Sequence, residues 1–195
     1  MTEKIAAEIL GGDLNYTKAE FDGRWFFPIA EQSRIPVIGD AVFALHTRLG
    51  YVAPLKDGDR VPLFERYAPG GIFTLRGFEI RTLGPELPIA TSADPSLYVT
   101  TDFRTGGNKQ FLFNAEYLFP IFRPANLKGV FFFDMGNAFD NGENMFTITG
   151  QRQAAGFGIR WFSPIGPLRF EWGFPLDRKE DEKFVVFDFT IGSLF

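Results

Sequence analysis

The stretch GVFFFDMGNAF, Gly129–Phe139, decides how this chain folds. Phe131, Phe133, Met135 and Phe139 alternate with Val130, Phe132, Asp134 and Gly136. A period of two marks a β-strand, because successive side chains leave opposite faces of the pleat. One face of this strand is dominated by apolar side chains. The other carries a carboxylate beside an aromatic ring and a glycine.

Seven further segments repeat the pattern, so the sequence predicts eight strands. They are Thr2–Leu10, Leu14–Phe27, Ala41–Ala53, Lys109–Phe119, Gln151–Phe162, Pro167–Leu176 and Lys183–Phe195. In the second strand Ala19, Phe21, Trp25 and Phe27 oppose Lys18, Glu20, Asp22 and Arg24. In the seventh, Leu168, Phe170, Trp172 and Phe174 oppose Arg169, Glu171 and Gly173. Each predicted strand has one apolar face and one polar, charged or glycine-bearing face. None of the apolar faces carries a charge near its middle.

Composition narrows what such faces are for. The chain has 195 residues, enough for one domain, with 25 Phe against 3 Met and no Cys. Mean hydropathy is −0.03, so the apolar residues are interleaved with polar ones. Apolar runs fall far short of the roughly eighteen residues of a spanning helix. The strands run about ten residues or more, the length a tilted strand needs to cross a bilayer. An apolar exterior around a mixed-charge interior is the pattern of a transmembrane barrel. The expected fold is therefore all-β: an antiparallel transmembrane β-barrel, one domain over residues 1–195. A soluble all-β domain or a lipocalin-like barrel is the alternative.

The connections alternate in character. Residues 28–39, 120–127 and 163–167 are Pro-rich and compact. At the other end lie 11–13, the long segment 54–106, 140–150 and the charged DRKEDEK run, Asp177–Lys183. Bacterial barrels keep short turns on the periplasmic side and long loops outside. Segment 54–106 is thus expected to be extracellular and the C-terminus periplasmic. MTEKIAAEIL is not a signal peptide, so an outer-membrane protein carrying this sequence is expected to be a fragment. The net charge of −4 and the lack of a basic stripe argue against nucleic acid as a partner.

Three motifs carry a resemblance: LRGF (Leu75–Phe78), FFFDMGNAFD (Phe131–Asp140), and the ending RWFSPIGPLRFEWGFPL followed by FVVFDFTIGSLF. Together they resemble the C-terminal half of the barrel of the BamA family, bacterial outer-membrane protein assembly factors. The superfamily also includes TamA and the two-partner secretion transporters. The likeness spans essentially the whole chain and implies half of a sixteen-stranded barrel that is preceded by periplasmic POTRA domains, which are not in this sequence. It implies bacterial outer-membrane localisation, with outer-membrane lipids and unfolded outer-membrane proteins as partners. Polypeptide secretion is the nearest alternative function.

The resemblance also assigns roles. It implies that Arg76, beside Gly77 and Phe78, folds back inside the barrel onto Phe132 and Asp134. Strand alternation independently puts Phe132 and Asp134 on one inward face. An arginine fork satisfies a carboxylate while its plane rests on a ring. The resemblance further implies that Phe187, Phe189, Ile191 and Phe195 form a terminal strand signal, by which such barrels are recognised.

Other chemistries find little support. No catalytic or metal site is expected, and no cofactor. The single histidine, His46, is expected inward beside Ala44 and Arg48, with no Ser and carboxylate arranged around it. A small barrel enzyme and a passive barrel remain the distant alternatives. With an even strand count the first and last strands run antiparallel. The chain is expected to close on itself, expelling most of the long loop; pairing edge to edge with a second copy is the other arrangement.

Overall fold

The structure is a computed structural model of the 195-residue chain, and it describes residues 2–6, 15–29, 40–56, 61–89, 99–164 and 166–192. Among the described residues ten strands form: β1 (Thr2–Ala6), β2 (Tyr16–Ile29), β3 (Ala41–Pro54), β4 (Glu86–Ile89), β5 (Val99–Arg104), β6 (Lys109–Phe122), β7 (Leu127–Phe139), β8 (Arg152–Ser163), β9 (Gly166–Pro175) and β10 (Val186–Ile191). Eight of them make one antiparallel sheet in the order β1-β2-β3-β6-β7-β8-β9-β10. These are the eight expected from alternation, with ends shifted by a few residues. Residues 7–10 and 193–195, predicted to belong to the first and last strands, lie outside the described residues, as do the expected connection 11–13 and Leu14 of the second strand.

Burial inverts the plan of a soluble protein. Phe131 is 57% exposed, and Phe21, Trp25, Phe27, Phe157, Phe187 and Phe189 are exposed with it. Buried on the opposite face are Arg160, Arg169, Glu171 and Asp134. The outward rings stack on one another across strands. Trp172 lies 5.5 Å from Phe157 and 5.1 Å from Phe187, and Phe170 lies 4.9 Å from Phe189. Aromatic neighbours at these spacings stabilise strand pairing. They leave many large apolar side chains exposed on one face of the sheet, where contiguous apolar patches mark an interaction or membrane surface.

Two expectations need correcting. The sheet does not close on itself: among the described residues β1 pairs with β2 alone, and β10 with β9 alone. The loop is not expelled either. It folds back over the concave face, where Leu75, Phe78 and Leu83 pack with Leu112 and Ala154 in a buried cluster. Nearer its start, Tyr67 packs with Tyr16, Val52 and Ala138. A loop seated there fills the space that an eight-stranded closure would need for its own side chains.

The long loop also carries the β4-β5 hairpin, which alternation did not reveal. Pro85 and Pro88 mask it, since proline removes a ladder donor and reads as loop. Arg104 and Glu86 face each other across it with an ion pair of 2.6 Å.

Candidate functional site

The site is where the loop meets the inner wall of the sheet. Strand alternation aims Glu116 from β6, Phe132 and Asp134 from β7, Arg160 from β8, and Arg169 and Glu171 from β9 at the concave side. Register gathers them. Glu116 pairs with Phe132, Phe132 with Gly156, and Glu171 with Gly158.

Arg76 enters this wall from the loop and is 2% exposed. Its Nε donates to Asp134 Oδ2 at 2.7 Å and its Nη2 to Asp134 Oδ1 at 2.6 Å. The Arg76 backbone N–H donates to the same carboxylate at 3.1 Å. The guanidinium carbon sits 3.8 Å from the centre of the Phe132 ring. Nη1 donates to Glu116 at 2.6 Å and to Glu171 at 3.0 Å.

Arg160 donates to Glu116 and Glu171, and Arg169 donates to Glu171. Arg76, Arg160 and Arg169 thus face Glu116, Asp134 and Glu171, and the formal charges cancel. Buried charges persist only when paired and hydrogen-bonded in this way. Burial pulls the Arg76 pKa down, but the surrounding carboxylates, Asp134 foremost, raise it well above the ordinary value. Arg76 is therefore a fixed cation.

Gly77 explains how the backbone gets close enough. Its φ is +85°, a region that side chains resist. It lies flat against Gly173 of β9, where an added Cβ would stand 2.4 Å from Gly77 N. Likewise a Cβ on Gly156 would stand 2.3 Å from the Phe132 ring. The small inward residues of β8 and β9 make the berth that the loop and the ring occupy.

A second guanidinium holds the other side of the motif. Arg152, at the start of β8, lies 4.6 Å from the Phe78 ring centre. It donates to Asp177 at 2.6 Å and to Glu182 at 2.6 Å in the β9-β10 connection. Lys183 pairs with Glu79. Burial raises the Glu182 carboxyl, but the Arg152 hydrogen bonds and the Lys179 backbone N–H outweigh it and hold it below the usual glutamate range.

Arg76, Gly77, Phe132 and Asp134 therefore lie together, and Phe78 is one step away under Arg152. Glu116, Glu171 and Arg152 were not singled out in the sequence. The signal for the first two was present: each is the one acid on the inward face of its strand, between Asn114 and Leu118 on β6 and between Arg169 and Gly173 on β9. Phe187, Phe189 and Ile191 point outward on β10; Phe195 lies outside the described residues. His46 differs from expectation, for Asp22 Oδ2 lies 3.1 Å from its Nε2, and Arg24 and Arg48 share that carboxylate. Asp22 sits on β2, opposite Arg48 in register, a neighbour that spacing along one strand does not reveal. Between this cluster and the loop is a cavity of about 270 Å³.

Comparison with known proteins agrees with this architecture. An outer membrane protein assembly factor BamA from Nitratidesulfovibrio vulgaris is 34% identical over 190 residues, which cover 95% of this chain. The BamA of Neisseria meningitidis is 28% identical over 219 residues, covering 98% of this chain. The chain spans 21% of the length of the first relative and 26% of the second. The crystal structure of BamA from Haemophilus ducreyi lacking POTRA domains 1-3 matches with a TM-score of 0.71 at 21% identity. That match covers 92% of this chain and 36% of the other, and it speaks to the fold. The family described as the Omp85 superfamily domain matches residues 1–195, so this chain belongs to the Omp85 superfamily.

Proposed function

We propose that residues 1–195 form one membrane-embedded domain: the C-terminal half of the barrel of an outer-membrane protein assembly factor. The observation that carries this reading is the inverted sheet, with rings facing out and a neutralised ionic network locking a loop within. Similarity to the curated BamA proteins supports the activity, which is to help unfolded outer-membrane proteins fold and insert. No covalent step is needed. A free strand edge offers unpaired N–H and C=O groups, and an incoming strand pairs with them by β-augmentation. The apolar outer face meets outer-membrane lipid, with the 54–106 end extracellular and the C-terminus periplasmic.

In this reading Arg76, Gly77, Phe78, Phe132 and Asp134 lock the loop inside the barrel. The rigid wall so formed holds the sheet edges in place for pairing. Phe187, Phe189, Ile191 and Phe195 act as the terminal signal when the chain itself is assembled.

The test is reconstitution of the chain into liposomes with an unfolded barrel protein as substrate. Faster substrate folding than in empty liposomes is the expected result. Ion conductance without faster folding would favour a secretion pore. Lipid turnover would point to an enzyme.

A further inference from the structure

The connection between β7 and β8, residues 140–150, lies against the outer face of the sheet. Three polar side chains at the long-loop end hold it there by its backbone carbonyls. Lys109 of β6 donates to Asn141 O at 2.8 Å and to Glu143 O at 2.9 Å. Asn137 of β7 donates to Gly150 O at 2.9 Å. Gln151, just ahead of β8, donates to Met145 O at 2.6 Å. Lys109 shares the outward face of β6 with Phe111 and Phe113, and Asn137 shares that of β7 with Phe133 and Met135.

The same connection carries two large apolar side chains that nothing in the chain covers. Phe146 is 62% exposed and Ile148 is 73% exposed. Phe146 meets the outward ring of Phe111 edge-on, with ring centres 6.0 Å apart. Phe111 is level with Asn137, two positions short of the end of β7 at Phe139. The connection therefore folds back along the outside of the sheet by roughly 7 Å, away from the long-loop end.

This fold changes what the outer face presents. Without it, Lys109 and Asn137 would offer an ammonium and an amide among the aromatic rings. With it, those donors are satisfied by carbonyls, and the surface offered at this place is Phe146 and Ile148. Glu143 is held back as well, its Oε2 accepting from the Asp140 N–H at 2.7 Å. The patch is also in the middle of the sheet, for β6, β7 and β8 each have a paired strand on both sides. It is continuous with the apolar outer face, where Phe119 stacks on Phe131 at 5.5 Å further down the same two strands. An occupant that covers that face covers Phe146 and Ile148 too.

We propose that residues 145–148 are a membrane foot: Phe146 and Ile148 insert among the lipid acyl chains of the leaflet at the long-loop end. The polar run 141–144 ahead of them then meets the headgroups. The foot fixes the depth at which β6, β7 and β8 ride in the bilayer. The proposal rests on the membrane reading of the outer face given above.

The chain has no cysteine, so single cysteines report single sites. Nitroxide labels on Phe146→Cys, Ile148→Cys, Phe131→Cys and Glu180→Cys are compared in the full chain folded into phosphatidylcholine vesicles. Glu180 is exposed in the charged β9-β10 connection. Electron paramagnetic resonance reads their access to oxygen, which concentrates among acyl chains, and to an aqueous nickel chelate. Labels at 146 and 148 should behave like the label at 131, with oxygen favoured several-fold, and unlike the label at 180. Nickel access at 146 and 148 equal to that at 180, with 131 still in lipid, would overturn the foot and leave the membrane reading standing. Nickel access at 131 as well would remove both. Shielding of 146 and 148 from both reagents would show protein covering the patch and would overturn the lipid occupant.

Unlabelled chains give a second measure. Ile148→Ser should lower the equilibrium constant for folding into the same vesicles about tenfold, the worth of a large aliphatic side chain withdrawn from hydrocarbon. Ile148→Leu should leave it unchanged. An Ile148→Ser chain as stable as the parent would overturn the proposal.

Discussion

Arg76 and Asp134 are 58 residues apart in sequence and share two side-chain hydrogen bonds of 2.7 and 2.6 Å, with a third from the Arg76 backbone. Asp134 is fully buried, so the pair lies beyond the screening of bulk water. Removing one partner strands the other. Asp134→Ala should cost the docked loop about 3–5 kcal/mol. Arg76→Lys should recover little, because an ammonium cannot span Asp134, Glu116 and Glu171 together. Limited proteolysis within 54–106 checks this: faster cleavage is expected in both variants.

The Gly77–Gly173 contact predicts a steric counterpart. Gly173→Ala places a methyl 2.4 Å from Gly77 N, backbone that cannot swing away. Undocking by about 1–3 kcal/mol is expected, as for an overpacked core. The substitution itself changes no charge. Hydrogen exchange of the loop amides reads the change directly.

The Arg152–Glu182 contact predicts a dependence on acid. Glu182 has a lowered pKa when folded. Its contribution is therefore complete above the unfolded value of about 4.3 and is lost as pH falls through the lowered folded value. The β9-β10 connection should stay closed at pH 6 and open in stronger acid, by exchange or by a fluorescent label at Lys179. In Glu182→Gln the acid-dependent step should shrink.

Faces differ in what they tolerate. Phe131→Arg puts a cation on the outward face of β7 and should cost about 2–4 kcal/mol near the bilayer midplane. Urea titration of folding into lipid vesicles measures it. In plain detergent the penalty should be smaller.

How much of this could be read beforehand follows from what alternation encodes. A period of two assigns Phe131 and Asp134 to opposite faces whatever lies beside them, so the eight strands were legible. It says nothing of register, which is set between strands. Hence Glu116 and Glu171 could be placed on inward faces but not at Arg76, and Asp22 was not linked to His46. Closure was misjudged for a related reason. Strand count permits an eight-stranded ring, but Leu75, Phe78 and Leu83 bury themselves on the concave face and occupy its space.

The central claim is that the aromatic face meets lipid. The chain's tryptophans, Trp25, Trp161 and Trp172, all lie on outward positions of the sheet. Folding the chain into vesicles of phospholipid brominated along the acyl chains measures that contact through tryptophan fluorescence. Strong quenching by the bromolipid, with little by aqueous acrylamide, is the predicted result. Fluorescence indifferent to the brominated chains would contradict the account.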